Sequence, residues 1–292
     1  MTDKPNITQA MIKAYDDYTH LTLDRRGFME KLTKLAGSGV AAAAIAPLLG
    51  ASHARAQIVP VDDSRLTVSD ITYAGAASEM KGYLAMPAGA TTKLPAVIVV
   101  HENRGLNGHI RDVARRMALE GFVALAPDYL SPAGGTPDDE DKAREMIGAL
   151  DATQTVANAV ATRVFLAGHE KTNGKVGMIG FCWGGGLVND LAVADPELGA
   201  GVAYYGRQAK AEDVPSIKAP LMLHYAGLDE RINTGIEAYK AALDANGKKY
   251  ELHMYDGVNH AFNNDTAAAR FDKTASDLAW SRTSAFLKAN LI

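Results

Sequence analysis

Short apolar runs alternate with helix-length amphipathic stretches from about residue 66 to the end of the chain. The runs are nearly continuous in Val, Ile, Leu and Ala, which is typical of strands covered on both faces. Repeated strand and helix units of this kind form parallel sheets. We therefore expect an α/β fold with a mostly parallel, doubly wound sheet of about eight strands and helices on both faces. The predicted strands are 66–73 and 80–86, an opening antiparallel pair, and then 96–100, 122–126, 176–179, 201–205, 221–225 and 251–255.

The stretches between the apolar runs are long enough for helices. The turn-rich segment 131–138, with two prolines and two glycines, is expected to form a loop over the site. A chain of 292 residues with 47% apolar residues can bury one large core, so one main domain is expected. The predicted helices are 110–120, 139–166, 185–194, 234–246 and 275–288.

The N-terminal segment 1–56 has the order of an export signal. A polar stretch leads to Arg25-Arg26, followed by a small-residue apolar run at 35–50 and by an Ala-x-Ala site that ends at Ala56. This order predicts a twin-arginine signal at 1–56, cleaved after Ala56, and a periplasmic or secreted domain at 57–292. The alternative is a cytoplasmic protein in which this run is a surface-packed helix. The run is shorter than the ~20 residues that a bilayer requires, so no stable membrane span is expected after processing.

The charge of the chain argues against nucleic acid as a partner. The formal net charge is −4, and the segment 1–56 holds seven Lys/Arg against five Asp/Glu, which leaves 23 basic and 29 acidic residues in the remainder. A surface of that sign repels phosphate backbones. The single cysteine excludes an intramolecular disulfide. We expect a monomer or small homo-oligomer that acts on a small molecule.

The single cysteine lies where a predicted strand meets a predicted helix. Residues 176–186 read Val-Gly-Met-Ile-Gly-Phe-Cys-Trp-Gly-Gly-Gly, a strand followed by Gly-x-Cys-x-Gly and a helix. This is the nucleophile-elbow pattern of α/β-hydrolases, with Cys182 in place of serine. Gly180 and Gly184 let strand and helix pack closely around a strained turn. The helix N-terminus favours the thiolate. The competing interpretation is a buried structural cysteine.

A cysteine nucleophile needs a base, because a thiol with a pKa near ~8.5 is only a few per cent ionised at pH 7. His260 follows the last predicted strand, in the turn where α/β-hydrolases carry their base. Two of the other histidines, His20 and His53, lie in the predicted export signal. The remaining five lie inside predicted strands or at helix ends and loops: His101, His109, His169, His224 and His253.

The third member of a triad is an acid after a strand, between nucleophile and base in chain order. Asp229 fits, because it lies in the turn beyond the predicted strand 221–225. It would accept a hydrogen bond from the imidazole and hold its tautomer. Glu230 is the competitor for this role.

An oxyanion hole needs two backbone N–H donors. In the elbow pattern, one comes from the residue after the nucleophile and the other from the turn after the third strand. These positions are Trp183 and Asn103.

The sequence resembles the dienelactone hydrolase family over nearly everything after residue 56. The resemblance implies an α/β-hydrolase fold, a Cys182, Asp229 and His260 triad, an acyl-enzyme at sulfur, and no metal or organic cofactor. The matching pieces are His101-Glu102-Asn103-Arg104-Gly105, Asp128-Tyr129, Gly180-Phe181-Cys182-Trp183-Gly184-Gly185, Tyr204-Tyr205-Gly206, Gly227-Leu228-Asp229 and Asn259-His260-Ala261-Phe262.

The resemblance also gives Glu102 a role, since in this family the corresponding carboxylate contacts the resting thiol and swings away as substrate binds. One departure concerns the substrate: the family has an arginine four residues beyond the catalytic histidine, and this chain has Asn264 there. The expected activity is therefore hydrolysis of a carboxylic ester or lactone, with dienelactone itself in doubt. The candidates for substrate binding are Arg104, Tyr129, Arg144 and Arg207.

Two alternatives share the same residues. A thioester or amide hydrolase would use the same triad and differ only in its pocket lining. A non-hydrolytic thiol redox or sensing protein would use one exposed, low-pKa cysteine. Such a sensor has no need of Asp229 and His260, and this chain has no second cysteine to resolve an oxidised thiol.

Overall fold

An eight-stranded sheet forms the centre of the molecule in the computed structural model, which describes residues 6–20, 22–50 and 57–292. Its spatial order is β1-β2-β4-β3-β5-β6-β7-β8. The pairs β1–β2 and β2–β4 are antiparallel, and all other neighbours are parallel. The predicted α/β class with a mostly parallel sheet is confirmed. The strands are β1 Leu66–Ala74, β2 Glu79–Pro87, β3 Leu94–Val100, β4 Val123–Asp128, β5 Thr172–Phe181, β6 Ala200–Tyr204, β7 Leu221–Ala226 and β8 Tyr250–Tyr255.

Helices cover both faces of this sheet, as predicted. On one face α4 and α10 contribute Val113 and Leu287 to the core. On the other, α6, α7 and α9 contribute Leu166, Leu191 and Leu243. The helices are α1 Gln9–Thr19, α2 Arg25–Ala36, α3 Gly39–Leu49, α4 Gly108–Leu119, α5 Glu140–Gly148, α6 Ala152–Gly168, α7 Trp183–Ala194, α8 Glu230–Asn233, α9 Ile236–Ala245 and α10 Lys273–Leu291.

Two of the predicted helices have different bounds in the structure. The predicted helix 139–166 is α5 and α6, because Asp151 accepts a hydrogen bond from the N–H of Gln154 and so begins a new helix. The predicted helix 234–246 begins at Ile236, and the short α8 precedes it. The expected loop 131–138 begins with a 3₁₀ turn at Ser131–Ala133.

The sheet brings the carboxyl ends of β3, β5, β7 and β8 to one edge. The central strands are buried along most of their length, and β3, β6 and β7 have almost no exposed residue. Parallel strands that are covered on both faces leave their carboxyl-terminal turns as the open crevice of the fold. The predicted triad and oxyanion-hole residues lie in these turns.

The helices α1, α2 and α3 form a small N-terminal layer that packs on the α/β domain. They enclose an apolar cluster around Tyr15, Phe28 and Leu32. Ion pairs from Lys13 to Glu230 at 3.0 Å and from Arg25 to Asp141 at 3.1 Å connect this layer to the rest of the chain. The predicted export signal therefore folds against the edge of the sheet that carries the predicted triad, and its segment 51–56, including His53, lies outside the described residues.

No single helix in the described ranges has the length and hydropathy of a membrane span. The pair α2 and α3 has them only when the two helices are taken together, across a bend of 113°. A signal sequence near an N-terminus gives the same result.

Candidate active site

Cys182 occupies a strained turn between β5 and α7. Its backbone has φ 55° and ψ −113°, a conformation that L side chains rarely adopt. A side chain at Gly180 would overlap the backbone of Gly184, and one at Gly184 would lie 2.6 Å from the carbonyl oxygen of His101. The absence of side chains at both positions lets strand and helix meet here. The thiol is 8% exposed and faces a cavity.

Asp229 and His260 meet at the same edge, in the turns after β7 and β8. The carboxylate Oδ2 of Asp229 accepts a hydrogen bond from Nδ1 of His260 at 2.5 Å, and its Oδ1 accepts one from the N–H of Ile232 at 3.3 Å. This contact fixes the ring so that Nε2 is the nitrogen left for chemistry. Among the described residues Nε2 has no hydrogen-bond partner within normal distance, and it is buried.

A second imidazole also reaches the sulfur, which the sequence did not predict. Nε2 of His20 lies 3.4 Å from Sγ of Cys182. A ring nitrogen of His20, one of His260 and the sulfur all lie within 4.8 Å of one another. The His20 ring meets the His260 ring edge-on, with centroids 4.8 Å apart. The sequence does contain a signal for this contact, the i, i+4 pair of Asp16 and His20. That pair was not considered as part of the site, because residues 1–56 were assigned to an export signal.

The charges at this edge favour the thiolate. Burial raises the pKa of the Cys182 thiol, but the positive charges of His260 and His20 and the hydrogen bond from His20 outweigh it and lower the pKa to about 6. Burial lowers the pKa of His260, and the charges of Asp229, Cys182 and Asp16 raise it well above its usual range. The opposing charges therefore stabilise one another, and the sulfur is mostly ionised at neutral pH.

The two predicted oxyanion donors, Asn103 and Trp183, line the same cavity as Cys182. Trp183 is the first residue of α7, so its N–H has no carbonyl partner within the helix. Asn103 follows β3, and its side-chain Nδ2 donates to the carbonyl oxygen of Thr19 at 2.6 Å. The side chain of Asn103 thus holds the end of α1, and only its backbone N–H is available to a substrate oxygen.

Glu102 is engaged with Asn264. Its Oε2 accepts a hydrogen bond from Nδ2 of Asn264 at 2.7 Å, and within the described chain its buried Oε1 has no partner. A second hydrogen bond fixes the orientation of the Asn264 amide, because its Oδ1 accepts from the hydroxyl of Thr266 at 2.6 Å. The residue that departs from the family pattern therefore binds the carboxylate that the resemblance placed at the thiol. The sulfur has His20 as its hydrogen-bond partner at 3.4 Å instead.

A cavity of about 330 Å³ opens at the sulfur. Of the four candidates for substrate binding, Arg144 and Arg207 line it. The guanidinium of Arg144 lies 4.1 Å from the centroid of the Tyr18 ring. That of Arg207 donates to Asp190 at 2.6 Å. The lining also contains an apolar wall, which consists of Ile147, Leu150, Leu187 and Ile232.

The other two candidates lie outside this lining. Arg104 forms an ion pair with Glu140 and donates to the hydroxyl of Tyr15 at 2.5 Å, so it binds the N-terminal layer. Tyr129 is buried and packs edge-on against Trp183, with ring centroids 5.6 Å apart. Of the two, only Tyr129 packs against a residue that lines the cavity, Trp183.

The cluster of His20, Cys182 and His260 has the donor set of a zinc site. Two imidazole nitrogens and one thiolate are ligands that Zn²⁺ accepts, and a fourth position would remain for water. Cys182 and His260 are also the predicted nucleophile and base, so a bound metal ion would occupy the predicted nucleophile.

The sheet order, the strained turn and the position of the buried Asp and His define the class: this is an α/β-hydrolase fold. Residues 80–291 match the model of the dienelactone hydrolase family. The chain is 32% identical over 247 residues to a protein of Escherichia coli O157:H7 named "Putative carboxymethylenebutenolidase", covering 80% of this chain and 90% of the relative. A protein of the same name from Saccharolobus solfataricus is 31% identical over 257 residues, covering 75% and 97%.

Solved structures agree with this result. The crystal structure of a "Putative Dienelactone Hydrolase" from Klebsiella pneumoniae subsp. pneumoniae MGH 78578 superposes with a TM-score of 0.69 at 28% identity and covers 75% of this chain and 97% of its own. The chain belongs to the dienelactone hydrolase family, and it is a hydrolase.

The lowered pKa of Cys182 predicts the pH dependence of its alkylation. Because the pKa is lowered to about 6, the thiolate persists at neutral pH and is lost as the pH falls through that value. An ordinary cysteine loses it near ~8.5. The rate of alkylation by iodoacetamide should therefore be almost constant between pH 7 and 9 and should fall below pH 6. A midpoint above pH 8 would contradict this.

Proposed function

We propose that this chain hydrolyses a carboxylic ester or lactone through an acyl-thiol intermediate on Cys182. The observation that carries the proposal is the hydrogen-bonded pair of Asp229 and His260, at 2.5 Å, beside a cysteine in a strained turn at the wall of a cavity. This arrangement contains a nucleophile, a proton carrier and a group that orients the carrier. All three are buried, where such charges act most strongly.

In the first half-reaction the Cys182 thiolate attacks the substrate carbonyl carbon. The carbonyl oxygen becomes an oxyanion that accepts hydrogen bonds from the backbone N–H groups of Asn103 and Trp183. The bond from carbon to the leaving oxygen then breaks, and the imidazolium of His260 gives its Nε2 proton to that oxygen. An alcohol leaves, or in a lactone the ring opens, and the acyl group remains on sulfur.

In the second half-reaction His260 is neutral and accepts a proton from water. The hydroxide adds to the acyl carbon, the carbon–sulfur bond breaks, and the electron pair returns to the sulfur as thiolate. Asp229 holds Nδ1 of His260 throughout by accepting its hydrogen bond. In the resting state burial raises the pKa of Asp229, but the charge and the hydrogen bond of His260 lower it further, and the hydrogen bond remains while the ring is neutral. The thiolate and the imidazolium of the resting state are thereby restored.

The cavity supports a small, largely apolar acyl substrate. Its volume of about 330 Å³ lies at the lower end of the range for small-molecule sites. Ile147, Leu150 and Leu187 form an apolar wall, and Arg144 supplies a buried positive charge. A thioester would fit the same residues, and the substrate panel below separates it from an oxygen ester.

Turnover of p-nitrophenyl acetate and of a matched thioester by the full chain tests the proposal. Cys182→Ala should remove both activities, and Asp229→Asn should lower kcat by about 100-fold or more, because the imidazole loses its fixed tautomer. Glu230→Gln is the matched control, since Glu230 is the neighbouring carboxylate and is exposed in its ion pair with Lys13. Unimpaired turnover in Cys182→Ala would exclude the acyl-thiol mechanism.

The assignment of Asn103 to the oxyanion hole gives a separate prediction. Asn103→Pro removes the backbone N–H and should lower kcat by roughly 100- to 1,000-fold. Asn103→Ala is the matched control, because it also removes the side-chain contact to Thr19 but keeps the N–H. Equal kcat values for the two variants would show that the donor lies elsewhere.

We also propose that the segment 1–56 directs export through a twin-arginine pathway. The adjacent Arg25 and Arg26 have side chains 80% and 87% exposed, where a receptor could contact them, and the weakly apolar α3 follows. N-terminal sequencing of the protein from the periplasm of its host tests the cleavage after Ala56. A mature chain that starts at Met1 would contradict cleavage.

A further inference from the structure

The first helix of the chain places a histidine directly on the nucleophile. His20 follows α1 as its C-terminal cap, and Nε2 of its ring lies 3.4 Å from Sγ of Cys182. The opposite nitrogen, Nδ1, lies 2.8 Å from the carbonyl oxygen of Asp16 and 3.3 Å from its Oδ1. A proton on Nδ1 donates to the carbonyl oxygen, and the carboxylate places an opposite charge beside the ring, so Nε2 is held toward the sulfur.

This geometry repeats the pair of Asp229 and His260 on the other side of the sulfur. In each pair a carboxylate lies against Nδ1 of an imidazole, and the second nitrogen lies near the thiol. The two rings meet edge-on at an interplanar angle of 89°. Cys182 therefore has two imidazoles, each with its own carboxylate.

Buried contacts seat α1 in this position. The carbonyl oxygen of Thr19 accepts from Asn103 at 2.6 Å, and the hydroxyl of Tyr18 donates to Asp141 at 2.5 Å. Tyr15 and Tyr18 are 4% and 6% exposed. Three arginines of the hydrolase core lie on these two rings or their hydroxyls, and they are Arg104, Arg144 and Arg270.

The helix forms a wall of the cavity and leaves the cavity open. Thr19 and His20 line it together with Cys182 and Trp183. A substrate can therefore reach the sulfur while His20 remains beside it, and the N-terminal layer completes the site.

We propose that His20 is a second catalytic imidazole, which remains protonated and donates a hydrogen bond from Nε2 to the sulfur of Cys182. This inference rests on the proposed acyl-thiol mechanism and assigns separate roles in it to His260 and His20. His260 gives a proton to the leaving oxygen and accepts one from water. His20 stabilises the thiolate before attack and again when the carbon–sulfur bond breaks, so the sulfur is a better leaving group during deacylation.

The surrounding charges support a protonated His20. Burial lowers its pKa, but the charge of the Cys182 thiolate and the hydrogen bonds to Asp16 and Cys182 raise it to about 9. The other charged groups at this point are His260 and Asp229 from the turns after β8 and β7, Arg231 of α8, whose Nε lies 3.9 Å from Oδ2 of Asp16, and Arg270 beyond them. Cleavage after Ala56 would remove His20 with α1, so this proposal requires the functional chain to keep residues 1–56, and recovery of only the cleaved form from the host would overturn it.

Alkylation of Cys182 by iodoacetamide as a function of pH, measured on full-length protein, tests the proposal without turnover. His20→Gln keeps a polar side chain of similar reach but loses the cation. It should raise the pKa of the thiol by about one to three units. At pH 6.5 its kcat/KM for p-nitrophenyl acetate should fall at least about tenfold. A chelator is present throughout, because the cluster can bind metal ions.

His20→Lys separates charge from packing. It restores a cation near the sulfur, so its thiol pKa should lie closer to that of the wild type than the pKa of His20→Gln does. Equal pKa shifts in the two variants would mean that lost packing, and not lost charge, was the cause, and would overturn the proposal. So would a wild-type thiol pKa and kcat/KM in His20→Gln.

His169→Asn is the histidine control, since His169 caps α6 and its Nδ1 accepts from the N–H of Lys171. It should leave both the thiol pKa and kcat/KM unchanged.

Failure of this inference is distinguishable from failure of the proposed function. If Cys182→Ala is inactive and the His20 variants resemble the wild type, the acyl-thiol mechanism stands and His20 has no part in it. If Cys182→Ala is active, the mechanism fails whatever the thiol pKa shows.

Discussion

The backbone conformation of Cys182 is the constraint on which the site depends. A non-glycine residue at φ 55° costs about 1–3 kcal/mol, and it persists only where its surroundings hold it. Here β5 is paired on both sides, by β3 and β6, and α7 begins at the next residue. The paired strand and the helix therefore hold this turn at the centre of the sheet. The turn places the sulfur at the open edge, where Asp229 and His260 lie in the turns after β7 and β8.

A buried thiolate is the second constraint, and it explains the number of charges nearby. An ionised group taken out of water needs compensation from opposite charges and hydrogen bonds. Cys182 is compensated by two imidazoles, and each of these is compensated by a carboxylate. The pKa of Asp16 is lowered, because the positive charges of His260 and His20 outweigh the effect of its burial. The N-terminal helix thus supplies one of the two carboxylate–imidazole pairs around the sulfur.

The sequence predicted the parts of this site that depend on local pattern. Gly180, Cys182 and Gly184 specify the turn through sterics alone, and the chain order of nucleophile, Asp229 and His260 follows from the order of strands in a parallel sheet. The division of 139–166 into α5 and α6 was missed, because an N-cap at Asp151 interrupts an otherwise helical stretch. His20 was missed for a different reason: the order of charged, apolar and small residues in the segment 1–56 matches an export signal, and such a segment is ordinarily left out of the folded domain. The contact from His20 to Cys182 joins residues far apart in the chain, and neither local pattern nor spacing encodes it.

Asn264 and Glu102 show how the resting state of this chain differs from the one that the family resemblance implies. A carboxylate against the nucleophile favours the neutral thiol, whereas an imidazolium favours the thiolate. In this structure Asn264 binds Glu102 at 2.7 Å, and His20 occupies the hydrogen-bonding position at the sulfur. If Cys182 is the nucleophile, this arrangement leaves no need for a carboxylate that moves on substrate binding, because the pKa of the thiol is already lowered. The residue at position 264 also affects which substrate can bind. An arginine there would offer a cation to a substrate carboxylate, whereas the neutral amide of Asn264 is hydrogen-bonded to Glu102 and Thr266. Arg207 is paired with Asp190 and Arg144 with Asp141, so a substrate carboxylate at either arginine would compete with a carboxylate of the chain itself.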